Sequence, residues 1–159
     1  MFEAEFLQTL WLSFKLSFIT TFLLFFVGVF LAYCFVFTNF AFKSFLQIIV
    51  SMPLVLPPSV LGFYLLMSFS PNSTLGYFLK EQFNLSLVFT FEGLVFASMI
   101  FSLPFMVHPI QSAFAALNKN LIEASYTLGK GRWITLFKVI VPNSKIGIFT
   151  GLTMAFAHT

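Results

Sequence analysis

The sequence predicts an all-α membrane protein with about three complete transmembrane helices, a partial fourth, and its amino terminus outside. Three observations carry that prediction. First, the chain has 159 residues, of which only 8 are basic and 5 acidic, while 59% are hydrophobic; a soluble domain carries roughly a quarter charged residues. Second, no charge occurs between Lys15 and Lys43, between Lys43 and Lys80, or between Glu92 and Lys119, leaving gaps of 27, 36 and 26 residues. A helix needs roughly 20 residues to cross about 30 Å of hydrocarbon. Third, the cations sort to one side of the spans so defined. This balance excludes a water-soluble enzyme, a disordered chain and a nucleic-acid binder. The single cysteine, Cys34, excludes a disulfide framework or a CxxC metal site.

The first span is placed at Leu10–Phe37. Glu3 and Glu5 stand ahead of it, where the start of a signal peptide would be basic, and the apolar run is too long for one. It reads as a retained helix. The second span, Phe45–Phe69, holds Pro53, Pro57 and Pro58, with Gly62 one turn on. Each proline removes a backbone donor, and the freed carbonyls need neighbouring helices, water, or the hydroxyls of Ser51 and Ser59. Broken helices often border a transport pathway, so Ser51, Pro57, Pro58 and Ser59 are candidate pathway residues; the plain alternative is a packing kink. The outer loop opens on the turn signal Pro71-Asn72-Ser73, and Leu75–Phe83 has the spacing of a short interfacial helix. Asn72 and Asn84 match the glycosylation pattern, which is short enough to occur by chance.

The third span is Glu92–Phe114. His108 lies in it between Pro104 and Pro109; an ionisable residue within a span is a functional candidate, and the favoured reading near the cytoplasmic end is structural, a neutral imidazole bonding a freed carbonyl. The fourth apolar run, Ile146–Thr159, spans only about 21 Å at 1.5 Å per residue. Starting it at Pro142 still leaves it short, so the chain reads as a fragment of a longer protein. His158, inside this run, takes no role from the sequence.

Sidedness follows from the cations. Lys43 follows the first span; Lys119, Lys130, Arg132, Lys138 and Lys145 follow the third. These two loops share a side, and the basic side is cytoplasmic. The segment between the third and fourth spans is the one long polar, patterned stretch. Asn120 fits an N-cap, with Glu123 reaching back in a capping box, and Leu121, Ala124, Ser125 and Leu128 share one helical face. Gly129 and Gly131 end that helix and permit a sharp turn. Trp133–Val141 reads as a second short helix with Trp133, Leu136, Phe137 and Ile140 on one stripe, ended by Pro142. The two amphipathic helices could lie on the bilayer or dock into a partner; the glycines and Trp133 favour a protein contact. No carboxylate pair, Ser/His/Asp set or His/Cys cluster is present, so no catalytic or metal site is assigned.

The run Glu123-Ala124-Ser125-Tyr126-Thr127-Leu128-Gly129, nine further residues, then Val139-Ile140-Val141-Pro142 resembles the EAA loop of ABC importer permeases. It departs from the family pattern at Ser125, Val139 and Val141 and keeps the spacing from Glu123 to Pro142. Pro53-Leu54-Val55-Leu56-Pro57-Pro58, Gly62-Phe63-Tyr64-Leu65-Leu66, and Leu128-Gly129-Lys130-Gly131-Arg132-Trp133 are similar to segments of molybdate ABC transporter permeases. Ala155-Phe156-Ala157-His158-Thr159 resembles a stretch that continues further in that family. The resemblance implies a type I importer transmembrane domain over residues 6–159, carboxy-terminally incomplete, with the coupling loop at 113–145, in a bacterial inner membrane. It further implies that Glu123, Ala124 and Gly129 belong to the coupling element, with Lys130, Gly131, Arg132 and Trp133 at or beside the contact. The implied partners are cytoplasmic ATPase subunits, a second permease copy as homodimer, a periplasmic or lipid-anchored oxyanion-binding protein, and membrane lipid. Mg-ATP is bound by the ATPase, and this chain, lacking GxxxxGK[ST], needs no cofactor. The implied substrate is molybdate, with tungstate and sulfate behind it. A secondary transporter and a non-functional remnant are the other readings.

Overall fold

A computed structural model describes the backbone of residues 2–71, 73–83 and 87–159; the side chains of residues 2–4, 75, 79, 80 and 83 fall outside the description. Asn72, Asn84 and part of the expected interfacial stripe therefore lie outside the described residues. Every regular element among the described residues is helical.

Helix α1 runs from Phe2 to Phe37, starting two turns earlier than the apolar run. Polar residues there do not break a helix, and Thr9 Oγ1 donates to the Glu5 carbonyl at 2.9 Å. Phe14, Phe18, Phe22, Phe26 and Phe30 recur every four residues and are each more than half exposed. In water such a stripe would be a large apolar patch; part of it borders α9, where the Phe14 and Phe156 rings meet at 5.8 Å. The opposite face buries Leu24, Val29 and Ala32.

The second span is not one helix. It is α2 (Lys43–Val55) and α3 (Pro58–Phe69), bent by 116°. The cause is local: Leu56 and Pro57, each followed by proline, adopt ψ of 135° and 136°, the extended conformation that a following proline imposes. Neither piece alone is long enough to cross, since 13 residues rise only about 20 Å. A short helix α4 (Thr74–Phe83) follows, where the interfacial helix is expected.

Helix α5 (Phe91–Ala115) agrees with the expected third span to within a residue at each end. Thr90 caps it, its side chain accepting from Gly93 N at 3.2 Å. Helix α5 lies parallel to α1: Lys15 Nζ sits 5.1 Å from the Phe91 ring, Gly28 meets Met106, and the Phe37 and Phe114 rings are 6.1 Å apart. The intervening chain must therefore return across the same thickness. Contacts of Ser51 with His108 and of Phe69 with Phe96 fix its ends at levels of α5 about 18 Å apart, 12 residues at 1.5 Å each. The bent pair thus carries the chain back toward the Phe91 end of α5. Lys43 and the 119–145 segment accordingly share one end of the molecule, as the charge pattern requires.

Beyond α6 (Lys119–Thr127), the chain forms α7 (Arg132–Thr135), a π turn at Leu136–Ile140 and α8 (Val141–Asn143). Helix α9 (Lys145–His158) then turns by 78° to run antiparallel to α5. Gly147 and Gly151 make that approach possible. A Cβ at Gly147 would lie 2.7 Å from the Pro109 carbonyl oxygen, and one at Gly151 3.0 Å from that of Met106. Small residues four apart are a recurrent means of close helix packing in membranes. By length and composition, α1 and α5 each suffice to cross a membrane; counting both bent pairs as spans gives four.

Candidate functional site

The polar loop between α5 and α9 is built onto the membrane core. Asn118, not Asn120, caps α6: its side chain accepts from Asn120 N at 3.0 Å. Glu123 is then five residues into the helix and forms no capping box. The apolar face of α6 is divided between the protein body and the outside. Ile122 and Ser125 turn inward, while Leu121 is 48% and Leu128 74% exposed. Two apolar rows share this helix, and the body of the protein takes the row that includes Ile122.

Helix α6 ends in a Schellman motif. Lys130 N donates to the Ser125 carbonyl at 3.1 Å and Gly129 N to that of Tyr126 at 2.9 Å. Gly129 occupies the left-handed region at φ +73°, with open space around it, so conformation rather than room requires glycine there. Gly131, at φ −68° and ψ 165°, is ordinary extended backbone; the turn depends on Gly129 alone.

The stripe of the second helix is divided in the same way. Leu136 and Ile140 are buried, while Trp133 and Phe137 are 63% and 64% exposed. Pro142 does not end it; the chain stays helical through Pro142 to Asn143. Proline lacks the amide that would continue the α-type ladder, and the preceding turn widens to π geometry, the kind of local insertion that relieves such a conflict. Asn143 Nδ2 donates to the Val139 carbonyl at 2.7 Å.

A buried hydroxyl pair, Ser125 Oγ and Thr135 Oγ1 at 2.9 Å, ties α6 to α7. Ile122, Leu136 and Ile140 belong to the same packed cluster as Leu24, Met106, Ile110 and Phe114 of the spans. Glu123, Ala124, Gly129, Lys130, Gly131, Arg132 and Trp133 are all exposed at the basic end. One face of the loop is fused to the transmembrane core, and the other is free and carries the residues picked out by resemblance.

The pathway candidates are not gathered in this way. Pro57, Pro58 and Ser59 are exposed at the bend, and Ser51 is half-buried seven residues before it. The Ser51 hydroxyl donates to the Gln47 carbonyl at 2.9 Å, which is not one a proline has freed. His108 likewise bonds no freed carbonyl: its Nε2 lies 3.1 Å from Ser51 Oγ. A hydroxyl has one hydrogen; with it on Gln47, Ser51 accepts, and His108 carries its proton on Nε2. His158 makes a second bridge of the same kind, Nδ1 lying 3.3 Å from the buried Ser102 Oγ, with its ring stacked on Phe105 at 4.0 Å. Helix α5 is thus joined to α2 and to α9 by one Ser–His contact each. The sequence contains just two histidines, and that scarcity within spans was the available signal.

A family model described as "Binding-protein-dependent transport system inner membrane component" matches residues 24–159. The chain is similar to a protein of Azotobacter vinelandii named molybdenum transport system permease protein ModB, with 42% identity over 93% of this chain and 66% of that protein. It is 34% identical to the Escherichia coli K12 protein of the same name, over 96% of this chain and 66% of the relative. A probable sulfate transport system permease protein cysT of Chlorokybus atmophyticus is 32% identical over 84% of this chain and 46% of that protein. The chain thus spans just under two thirds of the length of the two molybdenum permeases.

Proposed function

The chain belongs to the family of binding-protein-dependent transport system inner membrane components, and from that premise we propose that it is a permease subunit of an ATP-driven importer, forming the membrane path for molybdate. The observation that carries this reading is the two-faced loop. Its outer face offers Ala124, Leu128 and Lys130 to a partner, and its inner face is continuous with the core of α1, α5 and α9.

A cytoplasmic ATPase subunit that grips the outer face, and moves as it closes on Mg-ATP, displaces α6 and α7 as one body through the Ser125–Thr135 bond. Ile122, Leu136 and Ile140 pass that displacement to the spans, because close-packed interiors transmit strain instead of absorbing it. The break between α2 and α3 is the part of the membrane region best suited to yield. A second permease copy completes the path, and an oxyanion-binding protein delivers the cargo from the outer side. The spans α2, α3 and α5 carry no lysine or arginine after Lys43. That favours passage over capture, since conduction needs binding weak enough to release. The relatives' names set the preference for molybdate over sulfate.

The test is uptake in a strain lacking its own molybdate importer, with the full permease co-expressed with its ATPase and binding protein. ATP-dependent molybdate uptake is expected, with sulfate competing weakly. Uptake that ignores ATP, or an ATPase that does not co-purify with the permease, overturns the reading. Gly129→Val should abolish uptake and ATPase co-purification while leaving membrane insertion intact, because a β-branched residue in the left-handed region costs upwards of about 1–2 kcal/mol. Gly129→Asn, which tolerates that region, should retain most of both.

A further inference from the structure

At the basic end, a groove of about 670 Å³ opens between α1 and the loop helices, lined by Tyr33, Phe37, Asn39, Tyr126, Arg132 and Trp133 among others. We propose that this groove binds one anionic phospholipid, with its phosphate on Arg132 and its acyl chains along Phe30 and Phe37. The inference requires a membrane and is independent of which solute crosses it.

Position comes first. Helix α1 ends at Phe37, and no charge precedes Lys43 back to Lys15, so the last two turns of α1 lie where hydrocarbon meets water. Phe30 is 53% exposed there. The groove is therefore open to the inner boundary of the bilayer.

Charge comes second. Arg132 has no acidic partner among the described residues. Glu123 lines the adjoining hollow, with Lys119. Lys43 adds a second cation at the rim, its Nζ donating to the Thr38 carbonyl at 3.3 Å, and Thr38 itself lines the groove. A guanidinium fork matches phosphate in two-point geometry. Two cations without a matching acid favour a lipid of net negative charge over one that carries its own cation.

Chemistry comes third. Tyr33, Tyr126 and Trp133 have an apolar body and a polar tip, the side chains that settle at headgroup level. A polar rim over an aromatic floor fits an amphipathic molecule and leaves a free ion half its surroundings unmatched. A bound lipid would join α7 to α1, so the membrane itself would stiffen the coupling loop.

Cys34, the one thiol in the sequence and half-buried, lines the same groove, so its alkylation rate reports occupancy. The full chain in detergent is titrated with dioctanoyl-phosphatidylglycerol, dioctanoyl-phosphatidylcholine and inorganic phosphate. The phosphatidylglycerol should protect Cys34 at about fivefold lower concentration than the phosphatidylcholine, the ratio expected for one arginine beside an anionic headgroup. Inorganic phosphate should not protect. Arg132→Gln should erase the difference between the lipids while keeping the unprotected alkylation rate, and Arg132→Lys should keep part of it, which guards against misfolding of the first variant. Equal potency of the two lipids, protection by phosphate alone, or an Arg132→Gln protein that still discriminates would each overturn the proposal.

Discussion

Two stretches of this membrane core carry prolines, and they respond in opposite ways. Helix α5 contains Pro104 and Pro109 and stays helical for 25 residues. The stretch from Lys43 to Phe69 contains Pro53, Pro57 and Pro58 and folds back by 116°. Number alone does not explain this, since α2 continues through Pro53. The adjacent pair does, because Leu56 and Pro57 are both forced out of the helical region. Packing adds to the contrast. Helix α5 buries seven residues, while α2 and α3 bury Val50 and Leu61. An isolated proline inside a well-packed helix is absorbed; two in succession on a lightly packed one make a joint. The rigid member of the pair is fitted to hold the core, the jointed one to move.

The most disruptive way to break this contrast is to unseat α5. Gly147→Leu would drive a side chain into the Pro109 carbonyl, which is backbone and cannot swing aside. It should cost about 3 kcal/mol or more, read as loss of the folded peak in detergent. A normal melting curve would mean that α9 does not seat on α5 through this glycine.

Next in size is the joint itself. Pro57→Ala with Pro58→Ala removes two residues that each oppose a continuous helix by about 3 kcal/mol. Spin labels at Ile48 and Leu66 should move apart, and uptake should fall more than tenfold while the ATPase still co-purifies. Unchanged label distances would assign the bend to packing instead of to the prolines.

A smaller effect is expected at the tie between the two members. Ser51→Ala and His108→Ala should each lower stability by about 0.6–1.7 kcal/mol, the range of hydrogen bonds between membrane helices. The double variant should cost less than the sum, and strict additivity would dissolve the pair. Smallest of all is Pro104→Ala in α5. It restores an amide near the Ile100 carbonyl and leaves a small void, so the net change should stay within about 1 kcal/mol. A large loss there would mean that α5 depends on its proline after all.

Much of this contrast was legible in the residues, for reasons that also mark where legibility stopped. Charge-free length located α1 and α5, because hydrocarbon thickness is a one-dimensional constraint. The three prolines marked the second span as irregular, but a string of residues contains no angle, so one span was expected where a sharp joint exists. In the loop, the residues between Glu123 and Trp133 picked out by resemblance are exposed. Which apolar residues of α6 turn inward is not legible, because Leu121 and Leu128 compete with Ile122, and only the body it packs on decides between them. On the second helix, the π turn shifted the register that a uniform 3.6-residue period assumes. The Gly147–Gly151 pair was readable from spacing and was passed over; the two Ser–His contacts join residues 57 and 56 positions apart, which no local pattern reveals.

The parallel course of α1 and α5 also has a consequence for biogenesis. Helices α1 and α5 are separated by 53 residues, so α1 enters the bilayer long before its partner exists. At roughly 5–20 residues per second, it waits about 3–10 s with Gly28, Ala32 and the Thr20 hydroxyl turned towards lipid. During that interval the nascent chain has a finished helix and no fold, a window in which a membrane chaperone or protease would meet it.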